Sequence, residues 1–382
     1  MNFQFTEEQL MIKETARKFA VEELAPKAAE RDEKEEFPHE EIKKLAELGF
    51  MGMMTSEKYG GAGLDTISYV LAMEEISKVD ASVGVIMSVN NSLVCWPIET
   101  FGTEEQKLKY LPRLARGELL GAFCLSEPEA GSDASNQRTT ATKDGEFYIL
   151  NGTKNFITNG VYANILIVFA QTDREKGSKG ISAFIVEKDF PGVIVAKKEK
   201  KLGIRSSDTA QIVFEDCKVP AANRLGEEGL GFKIAMTTLN GGRIGIAAQA
   251  LGIAQASLEA SIKYAKERKA FGKFLAEHQA IQFKIADMAT KIEAARLLTL
   301  LAAWKKDQGE KYVKEASMAK LFASQVAVEA ALEAVQIHGG YGYIKDFPVE
   351  RFLRDSKITE IYEGTSEIQR IIIARELLEM KV

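Results

Sequence analysis

The stretch Gly121-Ala122-Phe123-Cys124-Leu125 decides the fold, because the apolar pattern of the chain changes there from a helical period to an alternating one. Beyond it, short β-branched and aromatic runs follow one another between turn signals, at residues 121–125, 147–150, 165–170, 181–186 and 211–214. Runs of this length and composition are typical of strands. We therefore predict a β-domain of antiparallel strands over residues 119–226.

The residues before this stretch have a helical pattern. Thr6 and Gln9 have the spacing of a capping box, and Asp65 and Asp80 stand where the N-caps of two further helices are expected. Residues 83–98 form an almost wholly apolar run, which predicts a buried helix. We predict an N-terminal helical domain over residues 1–118.

The residues after the β-domain return to a helical pattern. Long amphipathic segments cover residues 232–266, 279–306 and 313–337, and a shorter helix follows near the C-terminus. Helices of this number and length favour a bundle. We predict an α+β protein of three tightly packed domains, in which residues 227–382 form a C-terminal four-helix bundle.

Composition and charge argue against several kinds of partner. The 382 residues carry a net charge of −5, from 50 basic and 55 acidic residues spread along the chain without a basic stripe. A nucleic-acid-binding surface needs such a stripe. No apolar run reaches the length of a membrane span, and the first residues, from Met1 to Glu8, contain no charged-then-apolar leader. We expect a cytoplasmic protein that binds neither nucleic acid nor membrane.

Cysteine and histidine spacing argues against a disulfide framework and against a metal site. The three cysteines are far apart and lie in apolar or strand-like surroundings, which favours reduced thiols: Cys95, Cys124 and Cys217. The three histidines do not have the spacing of metal ligands: His39, His278 and His338. A Rossmann dinucleotide site is also disfavoured, because Gly339-Gly340-Tyr341-Gly342 follows a helix and opens no βαβ unit.

One carboxylate near the C-terminus is the candidate catalytic group. In Tyr362-Glu363-Gly364-Thr365 the glutamate stands between an aromatic residue and a glycine, where the backbone can approach a ligand closely. Thr365 or Ser366 can cap a helix that begins near Glu367, which would hold this loop in place. We predict that Glu363 faces an enclosed site; a solvent-exposed loop glutamate is the alternative.

A second loop is a candidate ligand-binding segment. Ser126-Glu127-Pro128-Glu129-Ala130-Gly131-Ser132-Asp133 follows the first strand and is rich in hydroxyl groups and backbone donors. Such a loop can hold a polar ligand. A plain connection between strands is the alternative.

Several of these motifs together resemble one family. They include Phe123-Cys124-Leu125-Ser126-Glu127-Pro128, Lys154-Asn155-Phe156-Ile157-Thr158-Asn159-Gly160, Gly241-Gly242-Arg243-Ile244, Arg268-Lys269-Ala270-Phe271-Gly272 and Tyr362-Glu363-Gly364-Thr365. In their order and spacing the chain is similar to the acyl-CoA dehydrogenases over essentially its whole length, and is most similar to the short-chain or butyryl-CoA group. The resemblance is highly specific.

The resemblance implies a reaction and its partners. A member of this family is expected to bind FAD, to form a homotetramer and to convert a short-chain acyl-CoA to the trans-2-enoyl-CoA. Glu363 would take the α-proton while a β-hydride passes to flavin N5, and the electrons would go to an electron transfer flavoprotein. The pathway would be fatty-acid β-oxidation or the reverse butyrate pathway.

The resemblance also implies site residues. Those near the flavin ring would be Phe123, Cys124, Leu125, Ser126, Gly131, Ser132, Phe156, Ile157 and Thr158. Those near the pyrophosphate and adenosine, partly of an FAD held by a neighbouring subunit, would be Arg268, Phe271, Gln279, Gln336, Ile337, His338, Gly339, Gly340, Thr365, Ser366 and Glu367. The acyl-CoA would contact Ser132, Asn240, Gly241, Gly242, Arg243 and Gly364.

Two positions depart from the family pattern, and other functions stay open. Asn240 stands where an aspartate is usual, and Trp96 replaces a smaller residue near the expected acyl pocket. Gly242 stands where a variant design places its catalytic glutamate, so Glu363 would act alone. The alternatives are a branched-chain or cyclic acyl-CoA dehydrogenase, an oxygen-reactive acyl-CoA or nitroalkane-type oxidase, and a non-enzymatic helical assembly protein.

Overall fold

The computed structural model describes residues 4–380, so residues 1–3 and 381–382 of the predicted outer domains lie outside the described residues. The N-terminal part consists of helices α1 (Glu7–Phe19), α2 (Ala28–Lys34), α3 (His39–Glu47), α4 (Thr66–Val79), α5 (Ala81–Ser88), α6 (Trp96–Phe101) and α7 (Glu104–Ala115). The predicted caps are present. Thr6 and Gln9 form a capping box, and the side chains of Asp65 and Asp80 accept hydrogen bonds from first-turn amides of α4 and α5.

Helices α5 and α6 are joined by a π-helical segment, Val89–Cys95, into one helix, Ala81–Phe101. Among residues 4–380 this is the one helix long and apolar enough to cross a membrane, so the expectation that no apolar run has this length was wrong. Of its most apolar window, 94% is buried inside the protein. The segment is therefore packed as a core helix, as the apolar run predicted.

The middle part is a sheet built from β1 (Gly121–Cys124), β2 (Thr140–Asp144), β3 (Phe147–Thr158), β4 (Ile165–Gln171), β5 (Ile181–Glu187), β6 (Val193–Lys198), β7 (Thr209–Pro220) and β8 (Arg224–Leu225). In the described chain the strand order is β6-β7-β3-β2-β4-β5-β8, and β1 pairs with β4. Most neighbours are antiparallel, but β1 runs parallel to β4, and β2 meets β4 in parallel at one residue pair. The prediction of antiparallel strands alone was therefore wrong, because the β2–β3 hairpin lies within a crossover that returns the chain parallel to β1.

Strand β4 connects the sheet to the helical domains because both of its faces are buried. Ile165, Ile167 and Phe169 pack against helices, whereas Leu166 and Val168 belong to the core inside the β-domain. Alternate side chains of a strand point to opposite faces. The face of β4 that carries Ile167 therefore packs against the helices.

The C-terminal part consists of α8 (Gly231–Glu267), β9 (Lys269–Ala270), β10 (Lys273–Phe274), α9 (Gln279–Asp307), α10 (Val313–His338), α11 (Val349–Ser356) and α12 (Ser366–Leu377). Helix α8 packs against α9, α10 and also α4, and α12 packs against α10. These contacts form the predicted bundle and fix it to the N-terminal helices. The break predicted at Phe271-Gly272 is the turn of the β9–β10 hairpin.

Candidate active site

A cavity of about 190 Å³ lies where the middle domain meets α5, α8 and the loop before α12. It brings together eleven of the predicted site residues: Phe123, Leu125, Ser126, Gly131, Ser132, Phe156, Ile157, Thr158, Arg243, Glu363 and Gly364. The remaining wall is largely apolar and includes Val85, Val89, Leu93, Met236 and Leu239. Residues far apart in the sequence thus meet at one site.

Strand β1 contributes only its alternate side chains to this cavity. Phe123 lines the cavity, and so does Leu125, which follows the strand. Cys124 is fully buried in the core inside the β-domain, on the other face. Strand geometry therefore separates the Cys124 side chain from the cavity, although its neighbours line it. Cys95, Cys124 and Cys217 are all buried and free.

The loop of residues 126–133 is held by a buried ion pair. Lys154 on β3 donates to Glu127 Oε1 at 2.7 Å, to Gln137 Oε1 at 3.1 Å and to the Leu125 carbonyl at 3.2 Å. Glu127 also accepts hydrogen bonds from the backbone amides of Arg138 and Thr139. Burial alone would raise the pKa of Glu127, but the charge and hydrogen bond of Lys154 lower it overall. We call these two residues the Lys154–Glu127 clamp.

Glu363 lies in a loop whose backbone is held from two sides. Glu363 and Gly364 have φ values of +52° and +96°, in the left-handed region that side chains other than glycine rarely adopt. Lys320 Nζ on α10 donates to the Gly364 carbonyl at 2.7 Å. Gln369 Nε2 on α12 donates to the same carbonyl at 2.9 Å and to that of Glu363 at 3.3 Å. Thr365 caps α12, as predicted.

The carboxylate of Glu363 is not satisfied by the surrounding protein. Its Oε2 atom is buried and has no hydrogen-bond partner among residues 4–380. Burial raises the pKa of Glu363 to about 7, against the opposing positive charges of Lys320 and Arg243. A carboxyl group with this pKa is poised to exchange a proton near neutral pH.

Helix α8 provides the opposite wall. A Cβ atom on Gly242 would lie 2.1 Å from Glu363 Oε2, so only glycine leaves room for the carboxylate there. Arg243 is 4% exposed, and its guanidinium donates to the Asn240 side-chain oxygen. Burial lowers the pKa of Arg243 to about 10. Asn240 and Gly241, both predicted to contact substrate, lie on the same turn of α8 outside the cavity lining.

The other predicted cofactor residues form a separate group at the surface of the C-terminal domain. Arg268, Ile337, His338, Gly339 and Gly340 line a second, more open cavity of about 490 Å³. Three more predicted residues are close to this group in the sequence, are exposed and line neither cavity: Phe271, Gln279 and Gln336. Of the α12 residues, Ser366 is buried, Thr365 is half-buried and Glu367 is exposed.

The Trp96 side chain lies outside the cavity. Its ring packs edge-on against Phe101, with ring centroids 5.9 Å apart, and it does not line the cavity. The wall on that side comes from Val85, Val89 and Leu93, one to three turns earlier. Trp96 therefore lies on the helix that lines the cavity, but its side chain is not part of the lining.

Three residues that shape the site had no role predicted from the sequence. Lys320 and Gln369 hold the Glu363 loop, and Lys154 holds the loop of residues 126–133. Nothing in a single sequence separates these polar residues from those on the exposed faces of the same helices and strands. The apolar run of residues 83–98 was the signal for the wall that Val85, Val89 and Leu93 form.

Comparisons with known proteins agree with this arrangement. Family models described as the N-terminal, middle and C-terminal domains of acyl-CoA dehydrogenase match residues 6–118, 122–217 and 229–378. An acyl-CoA dehydrogenase of Bacillus subtilis is 57% identical, with 98% of each chain covered. A short-chain specific acyl-CoA dehydrogenase of Clostridium acetobutylicum is 52% identical, with 99% of this chain and 100% of the relative covered.

Solved structures agree as well. Butyryl-CoA dehydrogenase from Megasphaera elsdenii matches with a TM-score of 0.98 and 52% identity, covering 99% of this chain and 100% of the other. A chain in a structure described as the electron transferring flavoprotein of Acidaminococcus fermentans matches with a TM-score of 0.98 and 55% identity, covering 100% of both chains. The chain belongs to the acyl-CoA dehydrogenase family.

Proposed function

We propose that this enzyme removes the α-proton of a short-chain acyl-CoA with Glu363 and forms the trans-2-enoyl-CoA. The observation that carries the proposal is the buried, unpartnered Glu363 Oε2 at a cavity wall. Burial alone costs a charged carboxylate free energy, which a purely structural site would avoid or offset with a partner. An oxygen that accepts a proton from the substrate must be free of other hydrogen bonds, as Glu363 Oε2 is.

The family is FAD-dependent, and the cavity residues fit a flavin. Phe156 has a left-handed backbone and a side chain that is 65% exposed at the cavity, where a planar ring system would cover it. Ser126, Ser132 and Thr158 offer hydroxyl groups beside it. When bound, FAD supplies the acceptor for the two electrons that leave the substrate.

Glu363 and its loop supply the proton chemistry. An α-proton beside a thioester is weakly acidic, and it becomes removable when the carbonyl oxygen, where charge develops, accepts preorganised hydrogen bonds. No residue among 4–380 accepts a hydrogen bond from the Glu363 backbone N–H, so this group is free to donate to that oxygen. The carboxylate then takes the proton, and the apolar wall of Val89 and Leu93 excludes water.

The short-chain preference, at about four to six carbons, is supported by the names of the relatives from Clostridium acetobutylicum and Megasphaera elsdenii. Helix α5 and its π-helical extension, residues 81–95, contain no arginine or lysine, so this wall of the cavity offers no cation to a distal carboxylate of the acyl chain. Steady-state turnover of the yellow enzyme with a series of acyl-CoA thioesters, with electron transfer flavoprotein as the acceptor, tests this. Butyryl-CoA should give the highest kcat/KM. A higher value for octanoyl-CoA, glutaryl-CoA or a branched thioester would contradict it.

We further propose a homotetramer that passes electrons to an electron transfer flavoprotein in the cytoplasm. The second group of predicted cofactor residues lies at the surface, with Phe271 95% exposed, which suits contact with the FAD of another subunit. The similarity to the Acidaminococcus fermentans chain supports the electron-accepting partner. Size-exclusion chromatography with light scattering, and flavin reoxidation by added electron transfer flavoprotein, test these two points.

A further inference from the structure

Lys320 on α10 is wholly buried, with 0% of its surface exposed. Its ammonium donates to the Gly364 carbonyl at 2.7 Å and forms no ion pair with a carboxylate of residues 4–380. Placing a lysine in the protein interior is costly unless the charge is used. Lysine at this position therefore has a role beyond packing.

The backbone that Lys320 holds is unusual because two consecutive residues, Glu363 and Gly364, are left-handed. Gln369, fully buried, donates to the same two carbonyls. The two side chains thus share one task but differ in charge. Lysine brings a hydrogen bond and a cation, whereas glutamine brings hydrogen bonds alone.

The groups that face Glu363 come from several elements. Arg243 on α8 and Lys320 on α10 are the positive ones, and both lower the pKa of the carboxyl group against its burial. Tyr69 on α4 donates to Ser88, and Tyr362 in the same loop donates to Gln249. Burial lowers the pKa of Lys320 to about 7 against the opposing charge of Glu363, so the ammonium and the ionised carboxylate favour each other's charged form.

We propose that Lys320 is a positioning residue for Glu363: it holds the left-handed Glu363-Gly364 backbone through the Gly364 carbonyl and stabilises the ionised carboxylate with its charge. This inference rests on the proposed role of Glu363 as the base. Lys320 touches the loop and does not line the cavity, so it acts through Glu363.

The test is the pH dependence of anaerobic flavin reduction by butyryl-CoA in the FAD-loaded Lys320→Met variant, with Gln369→Met as the matched control. Loss of the cation should move the midpoint of the profile upward by about 1 pH unit or more, which lowers the rate at pH 6 about tenfold. Gln369→Met loosens the same carbonyls without changing charge, so its plateau rate falls but its midpoint stays.

Three outcomes overturn the proposal. One is a Lys320→Met midpoint equal to that of the wild type. Another is an equal shift in Gln369→Met, which would assign the effect to loop geometry alone. If Lys320→Met does not retain FAD, Lys320→Gln keeps a polar group beside Gly364 and is measured in its place. Loss of FAD in both variants would make Lys320 a folding residue.

Failure of the proposed function gives a different result. In Glu363→Gln, a rate close to wild type would remove the base itself, whatever Lys320 does. Where Glu363→Gln is slow and Lys320→Met has an unshifted midpoint, only the role of Lys320 is lost. On the Glu363→Gln background, Lys320→Met should cause no further pH shift, because the carboxylate that it acts on is absent.

Discussion

Two regions of the molecule place a buried lysine near a glutamate in different ways. In the Lys154–Glu127 clamp the two charges are 2.7 Å apart, and both make further hydrogen bonds within the chain. At the cavity, Lys320 bonds a carbonyl and leaves Glu363 Oε2 without a partner. The pKa of Glu127 is accordingly lowered, whereas that of Glu363 is raised to about 7.

The difference shows how one residue type serves two purposes. A carboxylate whose partners are all supplied by the chain keeps its charge and fixes a loop. A buried carboxylate that has an oxygen without a hydrogen-bond partner, such as Glu363, has a pKa near neutral and can exchange a proton. Arg268 at the surface also lacks polar partners. Its guanidinium makes no hydrogen bond or ion pair within residues 4–380 and lies over the Tyr341 ring.

The largest effect on stability should come from breaking the complete pair. Lys154→Met leaves Glu127 buried without its cation, which should lower the free energy of unfolding by about 3–5 kcal/mol. Chemical denaturation of the FAD-loaded protein measures this. Lys176→Met, which removes an exposed ion pair with Asp173, is the control and should leave the transition unchanged. Equal stability of Lys154→Met and wild type would show that the clamp does not hold the loop.

A smaller effect is expected at Arg268, whose proposed partner is the pyrophosphate of FAD and not a residue of the chain. Arg268→Ala should weaken FAD retention by about 2–3 kcal/mol and loosen the oligomer with it, because a charge-assisted contact to the pyrophosphate is lost. Flavin content and size-exclusion chromatography report both properties. Arg17→Ala, at an exposed position on α1, is the control. Full flavin occupancy with an unchanged oligomer would contradict the assignment.

The smallest effect concerns the cap that holds the Glu363 loop. The Thr365 hydroxyl accepts from the Ile368 amide, and Thr365→Ala should cost about 1 kcal/mol of stability. Thr365→Ser keeps the oxygen and should cost less. Thermal unfolding of the two variants side by side measures the difference. If both lose the same stability, the methyl group of Thr365, rather than the cap, contributes the effect.

Sequence patterns predicted the three-part fold because apolar periodicity reports burial directly. They did not predict the parallel pairing of β1 with β4, because it joins segments about forty residues apart. They also did not predict strands β2 and β6, because the sequence of β2, TATKD, is largely polar and that of β6, VIVAKK, ends in lysines.

The candidate site was predictable only in part. Glu363 stands in a motif, and glycine with a capping threonine indicates a held loop. Lys320 carries no such signal. Lys314 on the same helix is also a lysine, but its side chain is partly exposed and pairs with Glu315, and the sequence alone does not distinguish the two. Burial of a polar residue is set by which helices pack together, and this is a property of the tertiary structure.

Glu363 is proposed to take the α-proton of the substrate. The most direct measurement is the anaerobic rate of flavin reduction by butyryl-CoA in Glu363→Gln and wild type between pH 5.5 and 8.5, beside thioester affinity. Wild type should slow as pH falls through about 7, since the carboxylate is lost by protonation. Glu363→Gln should bind butyryl-CoA normally but react at least about 100-fold more slowly than wild type at pH 8.5, and its rate should not show that pH step. A variant rate within about tenfold of wild type at pH 8.5, where the wild-type carboxylate is ionised, would contradict this role of Glu363.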